Sequence, residues 1–203
     1  MLNYFWAEFE KVDGDIFRFD TRVYLNSISE IRATDHCVGA IVGKNPGSAK
    51  PSAIGKGIQP ISLDGDKLLP TVRNVFVKSY GEAGIDLPER GYIQILNLFY
   101  LCDENLGHAV ARLKKNKHAK NCLSENKYFP LIWYVWGDSS DELNPLKERF
   151  SQLKSSHHFY YDKVNGSVVS EPASISCFAK HTQGLRHDAV VPYIAEIIKT
   201  ANT

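Results

Sequence analysis

The sequence predicts a three-layer α/β/α domain with a short, mainly parallel central sheet. Four short runs are rich in β-branched and aromatic residues, and segments with apolar residues every three to four positions alternate with them. The strand-like runs are almost unbroken in hydrophobicity, which is typical of strands that are covered on both faces. Helices on each side of a parallel sheet produce this pattern.

The predicted strands cover residues 37–43, 92–98, 131–137 and 173–179. Residues 1–36 are expected to add an N-terminal hairpin or extra edge strands, at the start of a single domain that covers 1–203. The polar, glycine- and proline-rich stretch from Asn45 to Asp66 is predicted to be a functional loop, because loops of this length are usually either lids or disordered segments.

Four apolar stripes predict the helices. They are Val72, Val75, Phe76 and Tyr80; Leu106, Val110 and Leu113; Leu143, Leu146, Phe150 and Leu153; and Val190, Tyr193, Ile194, Ile197 and Ile198. Asn105 is predicted to cap the second stripe, and Asn144-Pro145 is typical of a cap followed by a first-turn proline. His187 or Asp188 lies near the start of the fourth.

Composition is that of an ordinary globular protein, with 43% hydrophobic residues and a formal net charge of +1. No apolar run approaches the ~18–20 residues that span a bilayer, and the first residues lack the pattern of a secretory signal, so a cytosolic protein with no membrane partner is expected. The cysteines are far apart and without a C-x-x-C pair, so we expect reduced thiols and neither metal nor cofactor. They are Cys37, Cys102, Cys122 and Cys177.

Polar side chains follow three of the predicted strands, where open α/β sheets bind ligands. Residues 43–48, GKNPGS, follow the first strand, Asn97 lies near the end of the second, and residues 180–187, KHTQGLRH, follow the fourth. Glycine and proline fix sharp turns, while amide, imidazole and hydroxyl groups supply polar atoms to a pocket.

These segments carry a resemblance to a known superfamily. GKNPG resembles the G-x-N-P-G motif of the mismatch-specific branch of the uracil-DNA glycosylase superfamily, and HTQGLR resembles its last motif. RNVF, residues 73–76, resembles the segment whose aromatic ring stacks on the extruded base, and Asn97 falls where the uracil-specific branch reads the base edge. The ordered set covers about three-quarters of the chain, and a similar turn occurs in an uncharacterised bacterial family.

The resemblance implies a monofunctional, metal-free DNA glycosylase that flips a pyrimidine nucleotide out of DNA and hydrolyses its glycosidic bond. Asn45 is expected to orient the attacking water, since an amide cannot accept its proton, and His181 to donate to a base oxygen. Base contacts are assigned to Phe76, Asn97, Gly47 and Ser48. Contacts to the DNA are assigned to Lys44, Gly184, Leu185 and Arg186, with Leu185 as an apolar wedge.

Gly47 stands where the uracil-specific branch has a tyrosine that crowds the pyrimidine 5-position. The implied substrate is therefore a 5-modified or mismatched pyrimidine in DNA, including a modified cytosine of phage DNA. Base-excision repair and antiviral defence are the corresponding roles, and no obligate protein partner is evident.

Each of these residues also has a structural interpretation. Gly43, Gly47 and Asn45 are also typical of a strand-to-loop turn. Asn97 could bond a buried backbone group at the end of the sheet, and His181 could lie at the surface. Phe76 suits the core and Leu185 a helix staple. A basic group suits either DNA or a solvated helix end; it comprises Arg112, Lys114, Lys115, Lys117, Lys120 and Lys127.

Two other functions remain open from the sequence. One is a non-catalytic nucleic-acid- or nucleotide-binding module of the same fold. The other is a nucleoside or nucleotide hydrolase, which the near-zero net charge favours.

Overall fold

The computed structural model describes residues 2–47, 54–55, 57–63, 65–115, 121–137 and 141–202. Within these ranges the chain is α/β, as the sequence predicts, with one eight-stranded mixed sheet and four α-helices. The strands are β1 (Asn3–Val12), β2 (Asp15–Ile28), β3 (His36–Gly43), β4 (Gln59–Pro60), β5 (Gly91–Asn97), β6 (Phe129–Tyr134), β7 (Ser155–Asp162) and β8 (Ser167–Val169). The helices are α1 (Leu68–Ala83), α2 (Leu106–Lys115), α3 (Asn144–Glu148) and α4 (Val191–Ala201).

The sheet is larger and more mixed than expected. Its strand order is β4-β1-β2-β5-β3-β6-β7-β8. The centre, β5-β3-β6-β7, is parallel, and the flanking pairs are antiparallel. The prediction of a short, mainly parallel sheet is therefore wrong, because the N-terminal strands and β8 extend it on both sides.

The N-terminal strands form a hairpin that is part of this sheet. β1 and β2 pair antiparallel around Asp13 and Gly14, which have φ of 51° and 88°. Positive φ at both central residues suits the two-residue turns that match the twist of a hairpin. β2 then pairs with β5 through residues Thr21–Tyr24, so the hairpin joins the outer edge of the parallel strands.

The fourth parallel strand is β7, not the predicted run at 173–179. In that run Ala179 alone forms β-bridges with described residues, and these are isolated bridges to Gly137 and Asp162. Ile175 in this run is 45% exposed, so its apolar residues do not form a buried strand. β7 hides only Phe159 completely, which explains why its sequence gives little hydrophobic signal.

Successive strand residues point to opposite faces and enter two separate apolar clusters. Ile41, Ile93 and Trp133 belong to the cluster that contains α1 and α4, and these two helices also pack against each other. Val42 and Leu96 belong to the cluster on the other face, with side chains from α2 and from the segment around α3.

The helix predictions hold with one exception. Asn105 caps α2 as predicted, since its Oδ1 accepts a 3.0 Å hydrogen bond from the N–H of His108. The stripe at 143–153 is not one helix: α3 lies between two 3₁₀ turns, Asp141–Leu143 and Arg149–Gln152. All four cysteines are free thiols. No helix within the described ranges has the length and apolar character needed to cross a bilayer.

Candidate functional site

The carboxyl ends of β3 and β5 meet side by side. Gly43 and Asn97 are partners in the parallel register and are the last residues of their strands. Each lies two positions beyond a residue of the α1/α4 cluster, Ile41 and Ile95, so both face the layer of α1. This edge of the sheet is where the sequence predicts the site.

A cavity of about 700 Å³ opens at this edge. We call it the central cleft. Its described walls are Asn45–Gly47 after β3, Gly65–Leu68 and Thr71 at the start of α1, Glu104 before α2, and His181–Leu185 with His187 before α4. The volume lies within the ~300–1,000 Å³ of small-molecule sites. The central cleft therefore brings together two segments that the sequence singles out, around Asn45 and His181.

Asn45 is held in the central cleft by one end of its amide. Its Nδ2 donates a 2.8 Å hydrogen bond to the carbonyl oxygen of Asp103. The Oδ1 atom receives no hydrogen bond from the described residues, so an acceptor is left for a ligand or a water.

His181 presents a neutral imidazole to the central cleft. Its Nδ1 accepts a 3.1 Å hydrogen bond from the N–H of Gln183, so the proton of the neutral ring lies on Nε2. Burial lowers the pKa of His181 below its usual 6.5, and the nearby Lys44 ammonium lowers it further, against a smaller opposing effect of Asp66. At neutral pH the ring is therefore a hydrogen-bond donor through Nε2.

Asp66 is a further polar wall of the central cleft that sequence reasoning does not single out. Its Oδ1 accepts hydrogen bonds from the N–H groups of Leu68 and Leu69, at 2.9 and 3.3 Å, and so caps α1. A signal is present in the sequence, since an aspartate stands two residues before the helix. An aspartate at this position predicts a helix cap, but it does not predict that the same side chain also lines a ligand site.

Arg18 lies buried behind Asp66. The side chain is 1% exposed, and its Nη1 is 3.8 Å from Oδ2 of Asp66. Nε and Nη1 have no hydrogen-bond partner in the described part of the chain. Burial lowers the pKa of Arg18, although Cys102 and Asp66 act in the opposite direction.

Asn97 is 1% exposed and is not among the walls of the central cleft. Neither polar atom of its amide has a hydrogen-bond partner among the residues that the structure describes. A Cβ atom added to Gly43 would lie only 3.0 Å from Oδ1 of Asn97 and 3.7 Å from Cδ2 of Leu68 in α1. Gly43 therefore makes room for the Asn97 amide, which lies one layer below the cleft.

Two predicted contacts do not fit the structure. Phe76 is 1% exposed, belongs to the α1/α4 cluster and packs over Gly39, so its ring is not presented for stacking on a base. Leu185 lines the central cleft but is only 8% exposed and belongs to the same cluster. It is packed into the core instead of projecting as a wedge. The core and staple interpretations fit these two residues.

Of the remaining site residues, Gly47 and Gly184 line the central cleft, whereas Lys44 and Arg186 are not among its walls. Gly47, with φ of 68°, has no described residue within 4 Å of where a Cβ would stand, and Gly184 is exposed with φ of 69°. Lys44 is half-buried beside His181, and Arg186 is exposed and paired with Asp188. Ser48 lies outside the described residues.

The described part of the basic group around α2 is largely engaged in ion pairs. Arg112 contacts Asp15 and Asp103, and Lys114 contacts Glu142. Lys127 is 3.8 Å from Asp20. Lys117 and Lys120 lie outside the described residues. The described members are thus typical of a solvated helix end more than of a continuous DNA track.

No group of three or more His, Cys, Asp or Glu side chains within the described ranges is placed to hold a metal ion. Comparison with family models, with curated proteins and with solved structures finds no match to this chain.

Proposed function

We propose that this chain is a DNA glycosylase that removes a 5-modified or mismatched pyrimidine, with the three-layer arrangement of the uracil-DNA glycosylase superfamily. The observation that carries the proposal is that Asn45 and His181, from distant parts of the chain, line one cleft with usable polar atoms. The position of that cleft at the carboxyl ends of β3 and β5 supports it as well.

The two side chains suit the two ends of a glycosidic bond. Cleavage leaves positive charge on the sugar and negative charge on the departing base. The Oδ1 of Asn45 accepts a hydrogen bond from a water molecule and so orients it, while the Nε2–H of His181 donates to a base oxygen as negative charge develops. A neutral imidazole suits the second role because it donates without the cost of a buried positive charge.

Gly47 supports the choice of substrate. It has no side chain, and no described residue lies within 4 Å of its Cβ position, so the described walls leave room for a substituent on the pyrimidine 5-position. The proposal uses neither Phe76 nor Leu185, since both are packed in the core.

A second candidate is a hydrolase of nucleosides or nucleotides. The described walls of the central cleft carry two carboxylates, Asp66 and Glu104, beside the one lysine, Lys67. The described basic residues near α2 are mostly paired. A small substrate needs no extended basic surface, so these observations favour this alternative over a non-catalytic DNA-binding module.

The first test incubates the protein with duplexes that contain uracil opposite guanine, thymine opposite guanine or 5-hydroxymethylcytosine. Abasic sites are then detected by alkaline cleavage, and the free pyrimidine nucleosides are assayed in parallel for base release. We expect strand breaks in the duplex with thymine opposite guanine, in the duplex with 5-hydroxymethylcytosine, or in both, since each of these bases carries a 5-substituent. Release of base from nucleosides alone would support the second candidate, and activity on unmodified uracil alone would contradict the 5-position argument.

Asn45→Ala and Asn26→Ala form a matched pair for this assay. Asn26 also donates an amide hydrogen bond to a backbone carbonyl, that of Pro88, but at the other end of the sheet. We expect Asn45→Ala to lower the rate by at least ~100-fold and Asn26→Ala to leave it within a few fold of wild type. Equal effects of the two would show that Asn45 acts only through folding.

A further inference from the structure

The central cleft contains a buried carboxylate that the proposed reaction has not yet used. Asp66 shares its walls with Asn45 and His181, and its side chain is 9% exposed. An amide orients water but cannot take its proton, whereas a carboxylate can do so. We infer that Asp66 is the general base that deprotonates the attacking water, and this inference rests on the proposed glycosylase function.

The two oxygens of Asp66 have different surroundings. Oδ1 is occupied by the N–H groups of Leu68 and Leu69. Oδ2 receives no hydrogen bond from the described residues, and its nearest cation, Nη1 of Arg18, is 3.8 Å away, which is too far for a hydrogen bond. Oδ2 is therefore the oxygen that remains available to a water molecule.

Arg18 gives an independent reason to place chemistry here. A buried guanidinium is costly to the fold when its Nε and Nη1 atoms find no hydrogen-bond partner among the described residues. Its positive charge lies behind the carboxylate and not in the cleft. From that position it attracts the Asp66 carboxylate and holds it in place, so Arg18 is a positioning residue.

Other carboxylates near the central cleft are less suited to the role. Glu104 lines the cleft but is exposed, and no hydrogen bond or ion pair with a described residue fixes its side chain. Asp103 is already engaged, since Oδ1 accepts from the N–H of Asn105 and Oδ2 contacts Arg112. Asp66 alone among these three combines burial, a fixed Oδ1 and an available Oδ2.

The step balances without any further reactant. The water oxygen forms a bond to C1′ of the sugar, and the electron pair of the C1′–N bond leaves with the base. One water proton passes to Oδ2 of Asp66, and the hydrogen bond from Nε2–H of His181 stabilises the base anion. The anion then takes a proton from solvent, and Asp66 returns its proton to solvent.

Asp66→Asn separates this chemistry from folding. The amide oxygen of asparagine still accepts the hydrogen bonds from α1, because Asn and Asp are equally good caps. Asp86→Asn is the matched control: it makes the same change of charge at an exposed residue beyond the other end of α1. Each variant is assayed in single turnover on whichever of the three duplexes wild type cleaves, with the melting temperature and duplex affinity measured alongside.

We expect Asp66→Asn to lower the single-turnover rate by at least ~100-fold, with duplex affinity and melting temperature close to wild type, and Asp86→Asn to change none of these. If wild type cleaves a duplex and Asp66→Asn cleaves it as fast, this inference is overturned while the proposed function stands. Loss of activity in Glu104→Gln with activity kept in Asp66→Asn overturns it as well. A wild type that cleaves no duplex overturns both this inference and the proposed function.

Arg18 is tested by rescue. Arg18→Gln is expected to lower kcat without raising KM, and Arg18→Lys, which keeps the positive charge, to recover most of that loss. Equal kcat in the two variants, both folded by melting temperature, would contradict a positioning role. If Arg18→Gln does not fold, Arg18→Lys is compared with wild type directly, and a loss in kcat of more than ~100-fold would show that charge is not what the site needs.

Discussion

The Nδ2 of Asn45 lies 2.8 Å from the carbonyl oxygen of Asp103. This hydrogen bond joins the turn after β3 to the segment that precedes α2, so two loops on the same edge of the sheet are tied together. It also fixes which end of the amide faces the central cleft.

Replacing this amide by a carboxylate tests the contact. Asn45→Asp removes the donor and brings a negative charge to a backbone carbonyl, so we expect the free energy of unfolding to fall by about 1–3 kcal/mol. Urea titration monitored by tryptophan fluorescence measures the change. A variant as stable as wild type would mean that the hydrogen bond is absent in solution.

Phe76 tests whether a ring is needed in the site. Because it is packed in the core over Gly39, Phe76→Ala is expected to cost about 3–5 kcal/mol of stability, whereas Phe76→Leu refills most of the space and is expected to keep activity. Chemical denaturation and the base-release assay are compared for both variants. A folded Phe76→Leu protein that has lost activity would restore the stacking interpretation.

Leu185 tests whether the loop before α4 inserts into DNA. Leu185 is a buried member of the α1/α4 cluster. We therefore expect Leu185→Ala to lower the free energy of unfolding by about 2–5 kcal/mol. Val190, in the same cluster, supplies the comparison, and Val190→Ala is expected to be destabilising as well. If Leu185→Ala instead kept full stability but lost base release, a wedge role would be supported.

Three half-buried histidines give their contribution to the pH dependence of stability a definite sign. Burial lowers the pKa of His158, His181 and His187 below 6.5 in the folded protein. Below pH 6.5 the unfolded chain therefore binds protons that the folded chain does not, so the free energy of unfolding falls as the pH decreases through this range. Above pH 6.5 the histidines contribute no such loss.

His181→Asn keeps an acceptor for the N–H of Gln183 and removes the titrating ring. Urea titrations at pH 7.5 and 5.5 are expected to show a smaller loss of stability in this variant than in wild type. The exposed His108 provides the control, and His108→Asn is expected to keep the wild-type difference. A wild-type stability that rises between pH 7.5 and 5.5 would contradict the prediction.

Continuous hydrophobic runs predict the central strands β3, β5 and β6 well, because these strands are covered on both faces. β7 escapes prediction since it is half-exposed, and 173–179 is overpredicted since its apolar residues do not pair as a strand. A short sequence pattern shows which residues are hydrophobic. Whether a segment joins the sheet as a strand depends on its pairing partners, which here lie far away in the sequence.

The same distinction holds for the site. Asn45 and His181 are found from short motifs because turn residues surround them. Arg18 is not found, because its burial results from the packing of β2 beside β1 and from the segment after β5, whose Tyr100 accepts from the Arg18 N–H. No short pattern in the sequence encodes those long-range contacts.

The place of the N-terminal hairpin beside β5 limits how this chain can be shortened. A fragment that started at β3 would present the bare hydrogen-bonding edge of β5 to other molecules, and such edges template aggregation. The same truncation would take away the guanidinium behind Asp66. Solubility and the chemistry of the central cleft thus both depend on the N-terminal hairpin, and we expect its deletion to cause aggregation and loss of activity.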